Sequence, residues 1–102
     1  MKDQKGIDLL LENGDVVILI EAKTNLTVDD VRDHLARMEK YRLWVDSRDV
    51  GDKRRLIGAV AGTIVAENVV QFAHDNGFYV IVQAARDVEI VPPPEGFVAR
   101  EW

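Results

Sequence analysis

The chain has 102 residues, no cysteine and a formal net charge of −5, with two histidines forty positions apart. This length predicts one small domain with a single hydrophobic core. The missing cysteines exclude disulfide scaffolds and cysteine-ligated zinc or iron–sulfur sites, so any metal must be held by oxygen atoms. The excess of acidic residues argues against a protein that binds nucleic acid through a positive overall charge. A local basic surface, or a metal that bridges to phosphate, stays compatible with the sequence.

The apolar segments are short. The longest unbroken run, residues 16–20, has five residues, whereas a transmembrane helix needs about 20. No basic segment followed by an apolar one opens the chain, as a signal peptide would. We therefore predict a cytoplasmic protein with no membrane partner.

A β-hairpin is predicted at the start of the chain. Residues 7–11 and 16–22 are apolar runs, and the Asn13-Gly14 pair between them is a strong two-residue turn signal. If these two residues form the turn, Glu12 faces Asp15 and Asp8 faces Leu19, diagonally next to Glu21.

The rest of the chain alternates helix and strand. Thr27 and Asp30 form a capping box that opens a helix running to about Trp44. A buried strand at 56–61, a helix entered through Gly62-Thr63 and a strand at 78–82 follow, and 86–91 is a candidate last strand. The second helix is expected to end at a C-cap formed by Asn76-Gly77.

This β-β-α-β-α-β order predicts an α/β fold: a mixed sheet with right-handed crossovers and helices packed on its faces. The predicted domain is residues 1–91. Three consecutive prolines stop regular structure there, so residues 92–102 are a proline-rich C-terminal tail.

Strand alternation places Asp8, Glu21 and Lys23 on one side of the hairpin. The opposite side is wholly apolar and is expected to be completely buried, with Ile7, Leu9, Leu11, Val16, Ile18, Ile20 and Ala22. Two carboxylates supply hard oxygen ligands for Mg²⁺, and a nearby lysine can orient a metal-bound water or neutralise charge on an attacked phosphate. This pattern indicates metal-assisted phosphodiester hydrolysis; the alternative is an ordinary ion pair at a strand end.

Residues 6–11, the turn and residues 17–24 resemble the signature of the PD-(D/E)xK nuclease superfamily, in which an acid is followed by an ExK strand. Here Asp8 is followed by twelve residues and then Glu21-x-Lys23. The similarity extends over about residues 6–82 and is greatest to a branch of uncharacterised prokaryotic domains.

The resemblance implies a restriction-endonuclease-like core and a Mg²⁺- or Mn²⁺-dependent nuclease that acts on DNA. It implies that Asp8 and Glu21 bind the metal, that the carbonyl of Ala22 is a further ligand and that Lys23 is the catalytic lysine. The rival interpretation is a non-catalytic dimerisation or protein-interaction module on a degenerate nuclease fold.

The chain departs from the superfamily pattern at its start, because the usual first helix and strand do not fit in the five residues before Gly6. A fragment, a minimal domain completed by a partner and a degenerate relative all remain compatible with this. A sheet without its first strand leaves an apolar edge at the hairpin, so we predict a homodimer.

Side chains on the first helix offer further candidates. His34, Tyr41, Arg37 and Lys40 either contact a nucleic-acid backbone or belong to an ordinary solvated helix. Trp44, at the end of this helix, and Trp102, at the end of the chain, are each either an interface anchor or packed onto their own domain.

Overall fold

The computed structural model describes residues 9–48 and 54–102, which form a five-stranded mixed sheet and two helices. In chain order the elements are β1 (Leu9–Asn13), β2 (Val16–Leu26), α1 (Val28–Arg48), β3 (Arg55–Val65), α2 (Glu67–Asp75), β4 (Tyr79–Gln83) and β5 (Val88–Ile90). Each strand lies beside its neighbour in the chain. The three central strands are parallel, and β1 and β5 are antiparallel edges. The predicted α/β class and mixed sheet are confirmed.

The hairpin forms, but its predicted register is wrong. Asn13 pairs with Val16 and Glu12 pairs with Val17, so Gly14 and Asp15 are the central turn residues. Gly14 has a φ of 63°, as the first central residue of a II′ turn does, and glycine adopts this value without strain. Because the register differs by two residues, the side chains of residues 9–13 and 16–22 keep their predicted faces. Asp8 lies outside the described residues.

Helix α1 begins at the predicted capping box. The backbone N–H of Thr27 donates to Asp30 Oδ2 at 2.9 Å, and the N–H of Asp30 donates to Thr27 Oγ1 at 3.2 Å. The helix continues one turn past Trp44 to Arg48.

His34 is buried, and its Nε2 lies 3.0 Å from the carbonyl oxygen of Leu19. The interpretation of His34 as a nucleic-acid contact is therefore wrong.

Strand β3 is longer than predicted and includes Gly62 and Thr63, so α2 begins only at Glu67. A β-carbon on Gly58 would lie 2.6 Å from Phe78 Cδ1, so this strand passes directly against the fully buried Phe78 ring.

Helix α2 ends as predicted at Asn76-Gly77, where Gly77 has a φ of 82°. Of the two helices in the described residues, neither has the length and apolar content of a membrane-spanning helix.

Both helices pack on the same face of the sheet, which corrects the expectation of helices on its two faces. The core between this face and the helices includes Val17, Leu19, Val31, Met38, Leu56, Val60, Val69, Ala73, Phe78 and Val80. No helix in the described residues covers the other face, which we call the open face. Strand alternation and register place on it Leu9, Leu11, Ile18, Ile20, Ile57, Ala59, Tyr79, Ile81, Val88 and Ile90. The expected complete burial of this apolar face is wrong, because Leu9 and Leu11 are about half exposed.

The segment 92–102 returns to the domain after the three prolines. The Trp102 ring stacks on Phe78 with 5.3 Å between centroids, and its Nε1 donates to Glu39 Oε1 at 3.1 Å. Glu101 forms an isolated antiparallel bridge with Ile57. Of the two interpretations of Trp102, packing onto its own domain is the one observed.

His74, in the last turn of α2, packs against this segment and is expected to make stability depend on pH. Its side chain is 7% exposed, its ring lies 5.5 Å from that of Phe97, and its Nε2 has no hydrogen-bond partner among the described residues. Burial lowers the pKa of His74 below its ordinary 6.5, against an opposing effect of Asp75. The unfolded chain therefore takes up this proton at a higher pH than the folded chain.

We expect the stability contributed by neutral His74 to be present above about pH 6.5 and to be lost as the pH falls below that value. Urea unfolding of wild type and His74→Phe between about pH 7.5 and 5.5 measures this, because phenylalanine keeps the ring contact but cannot titrate. The wild type should lose more stability than the variant over this interval. Equal losses would contradict this role for His74.

Candidate functional site

The candidate site is centred on Glu21, in the middle of β2. Side chains of this strand alternate, so Glu21 points to the same helix-covered face as Val17 and Leu19. Its side chain is fully buried. A carboxylate in such a position is costly unless cations or hydrogen-bond donors surround it.

Two cationic side chains meet this carboxylate. Arg37, on α1, donates from its NH1 to Glu21 Oε1 at 2.9 Å. The Lys23 Nζ lies 3.5 Å from Glu21 Oε2. Lys23 is two residues along the same strand and 38% exposed, so it connects the buried carboxylate to solvent. Together the three side chains carry a net positive charge.

Arg37 was predicted either to contact a nucleic-acid backbone or to be an ordinary solvated residue, and its contact with Glu21 was not predicted. It follows the buried His34 by three positions and precedes the buried Met38 by one, so it lies at the border of the apolar stripe of α1. From there its long side chain reaches the sheet while remaining about one-quarter exposed. The sequence indicates this border position. The pairing of Arg37 with Glu21 depends in addition on how α1 crosses β2.

A small cleft lies beside Lys23, toward the carboxyl ends of the parallel strands. Its volume is about 240 Å³, and its lining includes Lys23, Gly62, Ala22, Ala61 and Gln83. Strand alternation places Ala22, Ala61 and Gln83 on the open face, whereas Glu21 points to the helix-covered face, so Lys23 is the residue that the cleft shares with the Glu21 site. A β-carbon on Gly62 would lie 3.1 Å from the carbonyl oxygen of Lys23, so glycine keeps the two strands close at this point. The crevice outside the carboxyl ends of the strands is where open α/β sheets bind ligands.

The structure brings together two of the predicted site residues, Glu21 and Lys23, and adds Arg37 to them. Ala22 lies between them in the strand and lines the cleft. Asp8, the other predicted carboxylate, lies outside the described residues, so its place at the site stays a prediction. Lys40, the other cation considered on α1, is exposed.

Within residues 9–48 and 54–102, no three Asp, Glu, His or Cys side chains are close enough together to hold a metal ion. The described ligands for a cation are Glu21 and the backbone carbonyl of Ala22. Both are hard oxygen donors, which suit Mg²⁺ or Mn²⁺. A cation at Glu21 must share the carboxylate with Arg37 or displace it, because Arg37 already contacts Oε1.

Comparisons of the chain with protein-family models, with curated proteins and with solved structures find no match. A function must therefore be inferred from the residues of the site and their arrangement.

Proposed function

We propose that the chain is a metal-dependent nuclease that hydrolyses DNA phosphodiester bonds through Asp8, Glu21 and Lys23, with Mg²⁺ or Mn²⁺ as its cofactor. The observation that supports this most strongly is the Glu21–Lys23 pair. A fully buried carboxylate and a partly exposed ammonium lie 3.5 Å apart on one face of β2. This is the arrangement expected of an ExK strand, and Lys23 also lines the cleft toward the carboxyl ends of the parallel strands.

Each residue has a distinct role in this proposal. Asp8, Glu21 and the carbonyl of Ala22 would hold the cation, which when bound supplies a water of lowered pKa and positive charge near the phosphate. Lys23, which reaches solvent, donates hydrogen bonds to the phosphate oxygens on which negative charge develops. Arg37 holds Glu21 in position through its contact with Oε1 and belongs to α1, so it fixes this helix against the site.

The proposal is tested by nicking of supercoiled plasmid DNA with Mg²⁺ or Mn²⁺ and with a chelator. Wild type should nick only with metal, and Asp8→Asn and Glu21→Gln should each lower the rate by about a hundredfold or more. The matched control is Glu95→Gln, which makes the same change at an exposed glutamate outside the site. Nicking by Glu21→Gln at the wild-type rate, or nicking by wild type in chelator, would contradict the proposal.

A second candidate function is a non-catalytic interaction module, and the pairing of Glu21 supports it. A fully buried carboxylate with Arg37 at 2.9 Å and Lys23 at 3.5 Å is also what a structural ion-pair cluster between α1 and β2 requires. In that case wild type neither binds Mn²⁺ nor nicks DNA. The same substitutions then change only the stability of the fold.

A further inference from the structure

The open face of the sheet requires a covering surface. Parallel strands are found almost only in sheets that are buried on both faces, yet the described helices cover one face of β2, β3 and β4. Val88 and Ile90 on β5 are 67% and 62% exposed, and Leu9 and Leu11 on β1 are 50% and 47% exposed. These four side chains belong to the two outer strands of one continuous apolar surface.

We propose that a second copy of the chain covers this surface and that the two sheets pack face to face. The charge of the surface supports this occupant. Each copy carries a net charge of −5, but the ten apolar side chains of the open face are uncharged. The register also places Arg55 and Glu101 at the border of this face, where they form an ion pair with each other at 3.5 Å. Two copies can therefore meet here without burying a charge or opposing like charges at the centre of contact.

The size of the surface also fits a second copy. From the fractional exposure of its side chains, the open face presents roughly 600 Å² on each copy, so two copies would bury about 1,200 Å², the lower limit for a specific interface. The roughly 600 Å² on one copy is at the upper end of the range for the largest apolar patch on a monomer, about 300–600 Å².

The pattern of side-chain sizes suits sheet-on-sheet packing. Ala59 lies at the centre of the face, whereas leucine, valine and isoleucine occupy the outer strands. Ala59 is flanked by the larger Ile20 and Tyr79 on the neighbouring strands, so it leaves room for a side chain of an opposing sheet; packed sheets interdigitate in this way at a spacing of about 10 Å.

This contact is separate from the candidate site. Glu21, Lys23 and Arg37 point to the helix-covered face, so none of them belongs to the ten side chains that form the proposed contact. The inference therefore does not depend on the proposed nuclease activity. It also differs from pairing through the free edge of β1, which would join backbone groups of the hairpin edge.

Sedimentation equilibrium over micromolar to near-millimolar concentrations tests the proposal with three variants. Wild type should have twice the 11.5 kDa mass of the chain. Leu11→Glu and Ile90→Glu place a charge on opposite outer strands of the open face, and each should weaken the dimer about a hundredfold or more. Leu43→Glu is the matched control, because Leu43 is an exposed leucine on α1, away from the open face.

The replaced residues are about half exposed or more, so all three variants should retain the wild-type far-ultraviolet circular dichroism spectrum at low concentration. A dimer that is lost in both face variants and kept in Leu43→Glu supports the proposal. A wild-type chain that stays monomeric at every concentration overturns it, as does a dimer that persists in both face variants. Loss of the dimer in Leu11→Glu alone also overturns it, in favour of pairing at the β1 edge.

Discussion

Replacing Lys23 by alanine is expected to lower the rate of plasmid nicking by about 10²- to 10⁴-fold, the range for one acid–base or charge-stabilising group. The ammonium is 38% exposed and 3.5 Å from Glu21 Oε2, so it can reach a bound phosphate while staying beside the buried carboxylate. Because alanine leaves Glu21 and the backbone carbonyl of Ala22 in place, the variant should still bind Mn²⁺. Initial nicking rates and a Mn²⁺ titration on the same samples measure both properties.

Arg48→Ala is the control for this experiment. Arg48 is an exposed cation at the far end of α1, where it lies over the ring of Trp44. Its loss lowers the positive charge of the protein by the same amount without changing the site. If Lys23→Ala nicks DNA as fast as Arg48→Ala, the lysine has no role in turnover.

Replacing Arg37 by alanine is expected to lower the free energy of unfolding by about 3 kcal/mol, near the lower end of the range for breaking a buried ion pair. The substitution removes the nearest described cation, at 2.9 Å, from a carboxylate with no exposed surface. The loss is expected near the lower end of that range because the arginine is itself 26% exposed and Lys23 still lies 3.5 Å from the carboxylate. Urea unfolding at one fixed protein concentration measures the change, since the stability of a dimer depends on concentration.

Two comparisons make the Arg37 result specific. Arg32→Ala removes an arginine from the same helix whose ion pair with Asp29 is largely exposed, and it should cost at most about 1 kcal/mol. Adding Glu21→Gln to Arg37→Ala should recover part of the lost stability, because a neutral amide needs no cation. If Arg37→Ala costs no more than Arg32→Ala, Arg37 does not hold the buried carboxylate.

Local signals in the sequence predict much of this fold because they act over a few residues. The capping box at Thr27 and the C-cap at Asn76-Gly77 each depend on hydrogen bonds within one helical turn, and both are present. Period-two alternation likewise places Glu21 and Lys23 on one face. The predicted hairpin register differs from the observed one by two residues, because Gly14, with its positive φ, occupies the first central position of the turn and not the second.

The placement of both helices on one face follows from a long-range property, the order of the strands. The chain moves from β2 to β3 to β4 in one direction across the sheet. Two right-handed crossovers in the same direction put their helices on the same side. Local sequence patterns predict right-handed crossovers but not the order of the strands, so helices on both faces are compatible with the sequence alone.

The Arg37–Glu21 contact and the position of Trp102 are the features that local reasoning could not supply. Arg37 and Glu21 are sixteen residues apart and meet only because α1 crosses β2 at this point. Trp102 reaches Phe78 across twenty-four positions after a segment without helix or strand. Each contact depends on the packing of whole elements, which hydrophobic periodicity does not determine.

Calorimetric titration of Mn²⁺ into wild type, Glu21→Gln and Glu95→Gln tests most directly whether Glu21 is the centre of a metal site. Wild type and Glu95→Gln are expected to bind Mn²⁺ alike, and Glu21→Gln is expected to bind it at least about tenfold more weakly, because a neutral amide is a poorer ligand for a hard cation. Equal binding by all three proteins would place the metal elsewhere. No binding by wild type would contradict the metal site and leave Glu21, Lys23 and Arg37 as a structural ion-pair cluster.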